Sequence, residues 1–315
     1  MTETPANRIW VLADPRAGTA AQALGIAERL DRAFRTVPLG WGPLARLPLR
    51  WPTLAGLTAE TRRTIAAPWP ALAISAGRRA APVALWLAKH GVRTVHCMRP
   101  HFAERRFELL VVGRHDSPPE ASNILPILGA THRMSPARLA AARDEWAAFG
   151  DLPSPRVALL LGGPPRGEGM SAEAAAAIAR QVAGFAGSVL ATGSRRTGAP
   201  AESAVAEALA GLPQHLHRWG DGGANPYAGM LAWADAVVVT GDSVSMLSEA
   251  LATTAAVFIA DPGGLGPRHH ALHASVYAAG QARPLSASPT LFTRAALDET
   301  GRVAAEIVAR GLLRG

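Results

Sequence analysis

The feature that most constrains this chain is a recurring alternation. Short apolar, β-branched runs stop in Gly, Asp, Ser or Thr and give way to helix-like stretches. Such runs occur at Arg8–Asp14, Thr36–Gly40, Leu72–Gly77, Arg93–Arg99, Glu108–Gly113 and Ile124–Leu128. They resume at Arg156–Gly163, Ser188–Ser194, Leu216–Trp219, Ala236–Thr240 and Ala256–Ala260. Helical patterning fills the intervals Ala20–Leu30, Ala80–His90, Pro136–Phe149, Ser171–Ala186, Glu202–Leu209, Asn225–Trp233 and Val244–Ala252. Strands this uniformly apolar are buried on both faces, and parallel strands need crossovers, so the alternation predicts an α/β fold with parallel sheets. With 315 residues, 49% of them hydrophobic, the chain can bury two cores and is not disordered. Gly150-Asp-Leu-Pro-Ser-Pro155 is the turn-rich break near the middle that a fresh strand follows. It divides the expectation into a first domain, 1–150, and a second, 151–290. A terminal segment, 291–315, carries a helix expected over Leu291–Leu313 that could reach back across the first domain.

Within that grammar Ala236–Leu251, AVVVTGDSVSMLSEAL, is the most informative stretch. A buried strand ends at Thr240, Gly241 and Asp242 break it, and Ser243 suits the N-cap of the next helix. Ser245, Ser248 and Glu249 share one helical face by their spacing, while Met246, Leu247, Ala250 and Leu251 share the other. A serine-rich helix start can hold phosphate through free N–H groups, and a carboxylate further along can accept hydrogen bonds from a sugar diol. A well-capped crossover helix with a solvated Glu explains the same residues equally well.

Ligands of open parallel sheets bind outside the carboxyl ends of the strands, and there this chain places its polar, glycine-rich segments. Asp14-Pro-Arg-Ala-Gly18 follows the first strand and Ser75-Ala-Gly77-Arg78-Arg79 the third. In the second half come Gly162-Gly163-Pro164, Ser194-Arg195-Arg196-Thr197 and Thr240-Gly-Asp-Ser243. Ligand edges in both halves suggest a cleft between domains. The double glycine is neither a dinucleotide fingerprint nor a P-loop, and read alone it is a tight βα turn. The paired arginines suit phosphate or a surface salt bridge. Trp219 to Tyr227 is a loop that opens a helix at Asn225-Pro226 and could wall a nucleobase.

Composition removes several classes. Cys97 is the single cysteine, which excludes a disulfide framework and a cysteine-based zinc site; at a strand end it reads as a buried thiol. The histidines form no metal signature; His269, His270 and His273 read as an exposed helix start. Neither a metal nor a cofactor is expected. No apolar run approaches the ~20 residues of a bilayer span, and MTETPANR does not read as a signal sequence, so a cytoplasmic location is expected. The net charge of +8 comes from dispersed arginines, with Lys89 the only lysine, and no basic arm predicts nucleic-acid binding. From Arg32 to Ala59, Trp41, Leu44, Leu47 and Trp51 interleave with Arg46 and Arg50 without an acid. That mixture suits an anionic membrane surface or a loop packed on its own domain.

Together these segments resemble the mitochondrial-fission ELM-like family of glycosyltransferases. The resemblance runs through Trp10-Val-Leu-Ala-Asp14, Ala17-Gly18, Gln22-Ala-Leu-Gly25, Ile74-Ser-Ala-Gly77-Arg78-Arg79, Pro164 and Ser194-Arg195-Arg196-Thr197. Its most specific parts are Asn225-Pro-Tyr227 and Thr240-Gly-Asp-Ser-Val-Ser-Met-Leu-Ser-Glu249-Ala250. It implies a GT-B-like fold, two Rossmann-like domains with parallel sheets facing a central cleft. It further implies a metal-independent enzyme moving sugar from a nucleotide-diphosphate donor to a glycan or lipid-linked acceptor of the cell envelope, with peripheral contact at the inner membrane. On the donor side the resemblance points to Gly162, Gly163, Pro164, Ser194, Arg195, Arg196, Asn225, Tyr227, Thr240, Asp242, Ser243, Ser245, Met246 and Glu249. Gly18, Gln22 and Arg78 fall on the acceptor side. Thr19 stands where family members often carry a histidine, leaving Asp14 as the candidate base, and Ala255-Ala256 replaces a common Gly-x-Pro turn. A nucleotide-sugar 2-epimerase and a non-catalytic adaptor on the same scaffold are the alternatives.

Overall fold

Strand β1 (Ile9–Ala13) shows why the first sheet forms. Its residues alternate between two cores: Ile9 and Val11 pack with Ile26, Ile74 and Val111, whereas Trp10 and Leu12 pack with Val37, Leu85 and Leu110. Burial on both faces is what the unbroken apolar run dictates, and each fully buried large side chain contributes roughly 1.5–3 kcal/mol. The computed structural model describes residues 8–164 and 169–313. Most of the N-terminal stretch read for a signal sequence, up to Asn7, lies outside them.

The chain divides into two compact units, Met1–Arg133 with Asp298–Gly315, and Met134–Leu297. In the first, β1 is joined by β2 (Arg35–Pro38), β3 (Leu72–Ala76), β4 (Arg93–Cys97), β5 (Leu109–Gly113) and β6 (Ile124–Ile127). The order is β2-β1-β3-β4-β5-β6, parallel throughout. Helices α1 (Ala17–Arg29), α2 (Ala59–Thr64) and α3 (Ala81–Ala88) supply connections. Gly25 in α1 is dictated by a close approach, because an added Cβ would collide with the His132 carbonyl.

The second unit opens with α4 (Pro136–Glu145), capped by Ser135, whose Oγ accepts from Arg138 N at 3.0 Å. Its sheet contains β7 (Arg156–Leu161), β8 (Ser188–Gly193), β9 (Gln214–His217), β10 (Ala236–Thr240), β11 (Ala256–Ala260) and β12 (Arg283–Pro284). The order is β12-β11-β10-β7-β8-β9, again parallel. The remaining helices of this unit are α5 (Ala172–Ala183), α6 (Ala199–Ala208), α7 (Tyr227–Trp233), α8 (Val244–Leu251) and α9 (Pro267–Ala278). The chain then returns to the first unit with α10 (Glu299–Ala309), whose Val303, Ala304 and Ile307 complete the core under α1.

The units part at Arg133/Met134, ahead of the break expected after Gly150. Packing of α4 on α7 explains the difference. The Arg143 guanidinium lies 3.7 Å from the Trp233 ring centroid and donates to Ala232 O at 2.7 Å, while Trp233 Nε1 donates to Arg143 O at 3.0 Å. The terminal helix is also shorter than expected. It starts at Glu299 because Asp298 Oδ1 accepts from Gly301 N at 2.9 Å, and residues 291–297 are irregular. Strand β9 begins two residues earlier than the Leu216 of the sequence reading.

Candidate functional site

Parallel sheets of this kind bind ligands where successive connections diverge to opposite sides of the sheet. In the second unit that switch point lies between β7 and β10, which are neighbours. The two segments leaving them are Gly162-Gly163-Pro164 and Gly241-Asp242-Ser243. They are tied together. Thr240 Oγ1 accepts from Gly162 N and Asp242 Oδ2 from Gly163 N, both at 2.7 Å. From the connection after β8 come Ser194, whose Oγ donates to Gly162 O at 3.1 Å, and Thr197, whose Oγ1 lies 2.5 Å from the same carbonyl. Gly163 cannot be another residue here, since a Cβ would strike the Arg196 carbonyl. So the double glycine forms a clamped turn whose own N–H groups are already satisfied.

Charge in this knot is uneven. The Asp242 side chain is only 9% exposed; Arg196 Nη2 lies 3.9 Å from Oδ2, and Oδ1 is buried with no partner among the described residues. Arg195 is exposed, and Pro164 is half-buried beside the turn.

Helix α8 leaves this knot from Ser243, whose Oγ accepts from Met246 N at 3.4 Å. Ser245 and Met246 are half-buried in the first turn; Leu247, Ala250 and Leu251 face the core. Ser248 departs from the expected polar face. It is buried and its Oγ donates back to Val244 O at 2.7 Å, which satisfies it within the helix. Glu249 is half-buried and accepts from Tyr227 Oη at 2.6 Å. Burial pushes its carboxyl up to about 7, opposed by the Tyr227 hydrogen bond and the positive field of Arg138 on α4. Burial and the adjacent Glu249 push the Tyr227 phenol well above its usual value. Asn225 is exposed and holds the start of α7, its Oδ1 accepting from Tyr227 N at 3.0 Å.

In the first unit the switch point lies between β1 and β3. Asp14 sits there, 9% exposed, with both carboxylate oxygens engaged. Oδ1 accepts from Arg16 N at 2.8 Å and Oδ2 from Trp41 Nε1 at 3.0 Å. Gly77, with φ of +86°, brings the β3–α3 connection against Thr19. Gly18 is half-buried nearby in α1, and the exposed Arg78 follows Gly77. Gln22 is buried, and its carbonyl accepts from Thr131 Oγ1 at 3.1 Å.

Other expectations resolve locally. His273 is not exposed. It is buried, and its Nε2 donates to Gly241 O at 2.8 Å, buttressing the turn before Asp242. Cys97 is buried, and desolvation pushes its thiol up to about 12. Two contributors were invisible in the sequence, Trp41 as the holder of Asp14 and Arg138 beside Glu249. Trp41 was read only as part of the Trp/Arg stretch, and Arg138 sits in no distinctive local pattern.

Comparison with known proteins matches the sequence of this chain to a family. The family described as Mitochondrial fission ELM1 matches residues 17–311. The mitochondrial fission protein ELM1 of Arabidopsis thaliana is 30% identical over 233 residues, 65% of this chain and 54% of that protein. The match thus spans about half of that relative's length. Among solved structures, a UDP-glucosyltransferase from Polygonum tinctorium superimposes with a TM-score of 0.53 at 13% identity, covering 99% of this chain and 93% of that one. A UDP-GlcNAc 2-epimerase from Methanocaldococcus jannaschii gives 0.52 at 11% identity, covering 96% and 99%. At such identities these likenesses show the fold, which is GT-B-like in each unit's parallel, doubly wound sheet.

Proposed function

Because the chain belongs to the mitochondrial fission ELM1 family and carries a GT-B-like fold, we propose that it is a metal-independent glycosyltransferase using a nucleotide-diphosphate sugar. One observation carries this reading. Glu249 is held half-buried on α8 by Tyr227, on the helix that starts at the switch point of the second sheet. A desolvated carboxylate in that place suits a ribose diol, which donates two hydrogen bonds in return. The structural neighbours named for UDP or UDP-sugars support a nucleotide as the ligand class.

In this reading the diphosphate lies over the first turn of α8, where free N–H groups, Ser243 and Ser245 face it and Met246 supports it. Gly162, Gly163 and Pro164 supply room rather than donors, because Thr240 and Asp242 already occupy the glycine N–H groups. Ser194 fixes the turn, and Arg195 and Arg196 offset the phosphate charge. Asn225 sets the start of the helix that presents Tyr227. Gly18, Gln22 and Arg78 lie on the acceptor side, with Asp14 as the base. In that transfer the acceptor oxygen bonds the anomeric carbon and gives up its proton to the base, and the carbon–diphosphate bond breaks with its electrons leaving on the nucleotide. The helix dipole and Arg196 stabilise that leaving charge in place of a metal. In this reading the acceptor belongs to the cell envelope and is met from the cytoplasmic side; among the described residues no helix is long and apolar enough to cross a membrane.

Calorimetric titration of UDP, GDP, CDP and ADP into wild type and Glu249→Ala tests the reading. One nucleotide is expected to bind saturably and to bind about tenfold or more weakly in the variant, the loss of a charged hydrogen-bond acceptor. Release of free nucleotide from the cognate sugar without acceptor would favour the 2-epimerase. Absence of binding to folded protein would favour the adaptor.

A further inference from the structure

The first unit contains a pocket that the donor chemistry does not use. It lies between the β3–α3 connection, the segment from Trp41 to Gly56, and the loop that carries Pro100, His101 and Phe102. Arg50, Arg78, Arg79 and His101 line it, and no acidic residue does. None of the four makes a hydrogen bond or ion pair among the described residues. Their neighbour Arg99 behaves differently, binding Glu104 and the carbonyls of Asp116 and Ser117. Unpaired guanidiniums gathered around one concavity hold a positive potential that favours an anion.

The rest of the wall is apolar. Leu47, Leu49 and Phe102 line it, and Leu47 and the adjacent Trp51 are more than half exposed, at 55% and 57%. The loop pays for its shape: Met98, His101 and Ala103 have φ of 75°, 63° and 48°, a region that costs non-glycine residues of order 1–3 kcal/mol each. That backbone carries His101 and Phe102 into the wall of the pocket. The site also reaches the candidate base, because the Trp41 ring that lines it donates to Asp14.

We propose that this pocket binds the phosphate ester of a long-chain lipid, with the phosphate on Arg50, Arg78, Arg79 and His101 and the chain along Leu47, Leu49 and Phe102. A soluble phosphate would leave the apolar wall wet, and a neutral lipid would leave the guanidiniums uncompensated. That the lipid is the sugar acceptor rests on the transferase reading; the binding itself does not.

Octyl phosphate is the probe, titrated into the full chain without nucleotide and followed calorimetrically. It is expected to bind about tenfold or more tightly than inorganic phosphate or octanol, and Arg78→Gln with Arg79→Gln weakens it about tenfold or more. Arg63→Gln with Arg180→Gln, which removes two exposed guanidiniums elsewhere, leaves it unchanged. Arg50→Gln, in an irregular segment, repeats the test if the double variant does not fold. Phosphatidylcholine vesicles containing phosphatidic acid are expected to retain wild type and not the pocket variants; pure phosphatidylcholine vesicles retain neither. Equal binding by wild type and the pocket variants would overturn the proposal, as would inorganic phosphate binding as tightly as octyl phosphate. Failure of the nucleotide titrations alone would remove the transferase reading and leave this binding standing.

Discussion

At the scale of single residues, Glu249 links stability to pH. Its carboxyl is held up at about 7 against an ordinary value near 4.5, so the folded chain retains a proton that the unfolded chain gives up. The associated stability is complete below about pH 4.5 and is lost as pH rises through about 7. A melting temperature measured across that window is expected to fall with pH in wild type, with this component absent in Glu249→Gln. Tyr227→Phe removes a hydrogen bond that favours the ionised form and moves the midpoint upward. Nucleotide affinity should run the other way, rising over the same window, since the ionised carboxylate is the better acceptor. Position and residue type made Glu249 legible in the sequence: a strand, a serine cap and a carboxylate past the first turn. Tyr227 was named on the donor side, but its bond to Glu249 was not legible, because it depends on how α7 lies against α8. The same holds for Trp41 and Asp14, which are brought together by the sheet rather than by spacing.

At the scale of elements, Arg294 shows how an irregular segment is held. Its guanidinium donates to the carbonyls of Ala250 and Leu251 at the C-terminal end of α8 and of Ala255 in the turn that follows, joining the segment to both. Burial lowers its pKa to about 10, so the cation persists at neutral pH. Arg294→Ala leaves the Ala255 carbonyl without that donor, while Ala250 O keeps Thr253 and Leu251 O keeps the Leu297 N–H, and is expected to cost about 1–3 kcal/mol, read as a lower urea midpoint with unchanged slope. Elements with uniform apolar runs, such as β10 and β11, were legible to the residue. Strand β9 was displaced because Gln214-His-Leu-His carries no apolar run, and its residues are only half-buried. The six residues of α2 and the two of β12 are too short to show a period. Helix α9 was seen only at its start, since its pattern Arg-His-His-Ala-Leu-His buries few positions.

At the scale of the whole molecule, alternation made the two parallel sheets legible, and turn chemistry alone misplaced the boundary. The Gly150–Pro155 break does precede a strand, but the contacts that assign α4 are the Arg143 and Trp233 pair, long-range and written in no local pattern. The two units also differ in continuity. The second is one uninterrupted segment, Met134–Leu297, and the first draws on both ends of the chain. A fragment of residues 134–297 is expected to show a cooperative thermal transition by itself. A fragment of residues 1–133 is expected to show one only when a peptide of residues 298–313 is added, because Val303, Ala304 and Ile307 belong to its core. Circular dichroism of the separate and mixed fragments checks this.

That last helix sets an order of events at the ribosome. Domains ordinarily complete themselves as they are synthesised, the N-terminal one first. Here the earlier-made unit waits, with the face of α1 that Val303 and Ile307 will cover still open to solvent, until translation has passed the whole of the later-made one. The unit encoded second is thus the first that a nascent chain can finish.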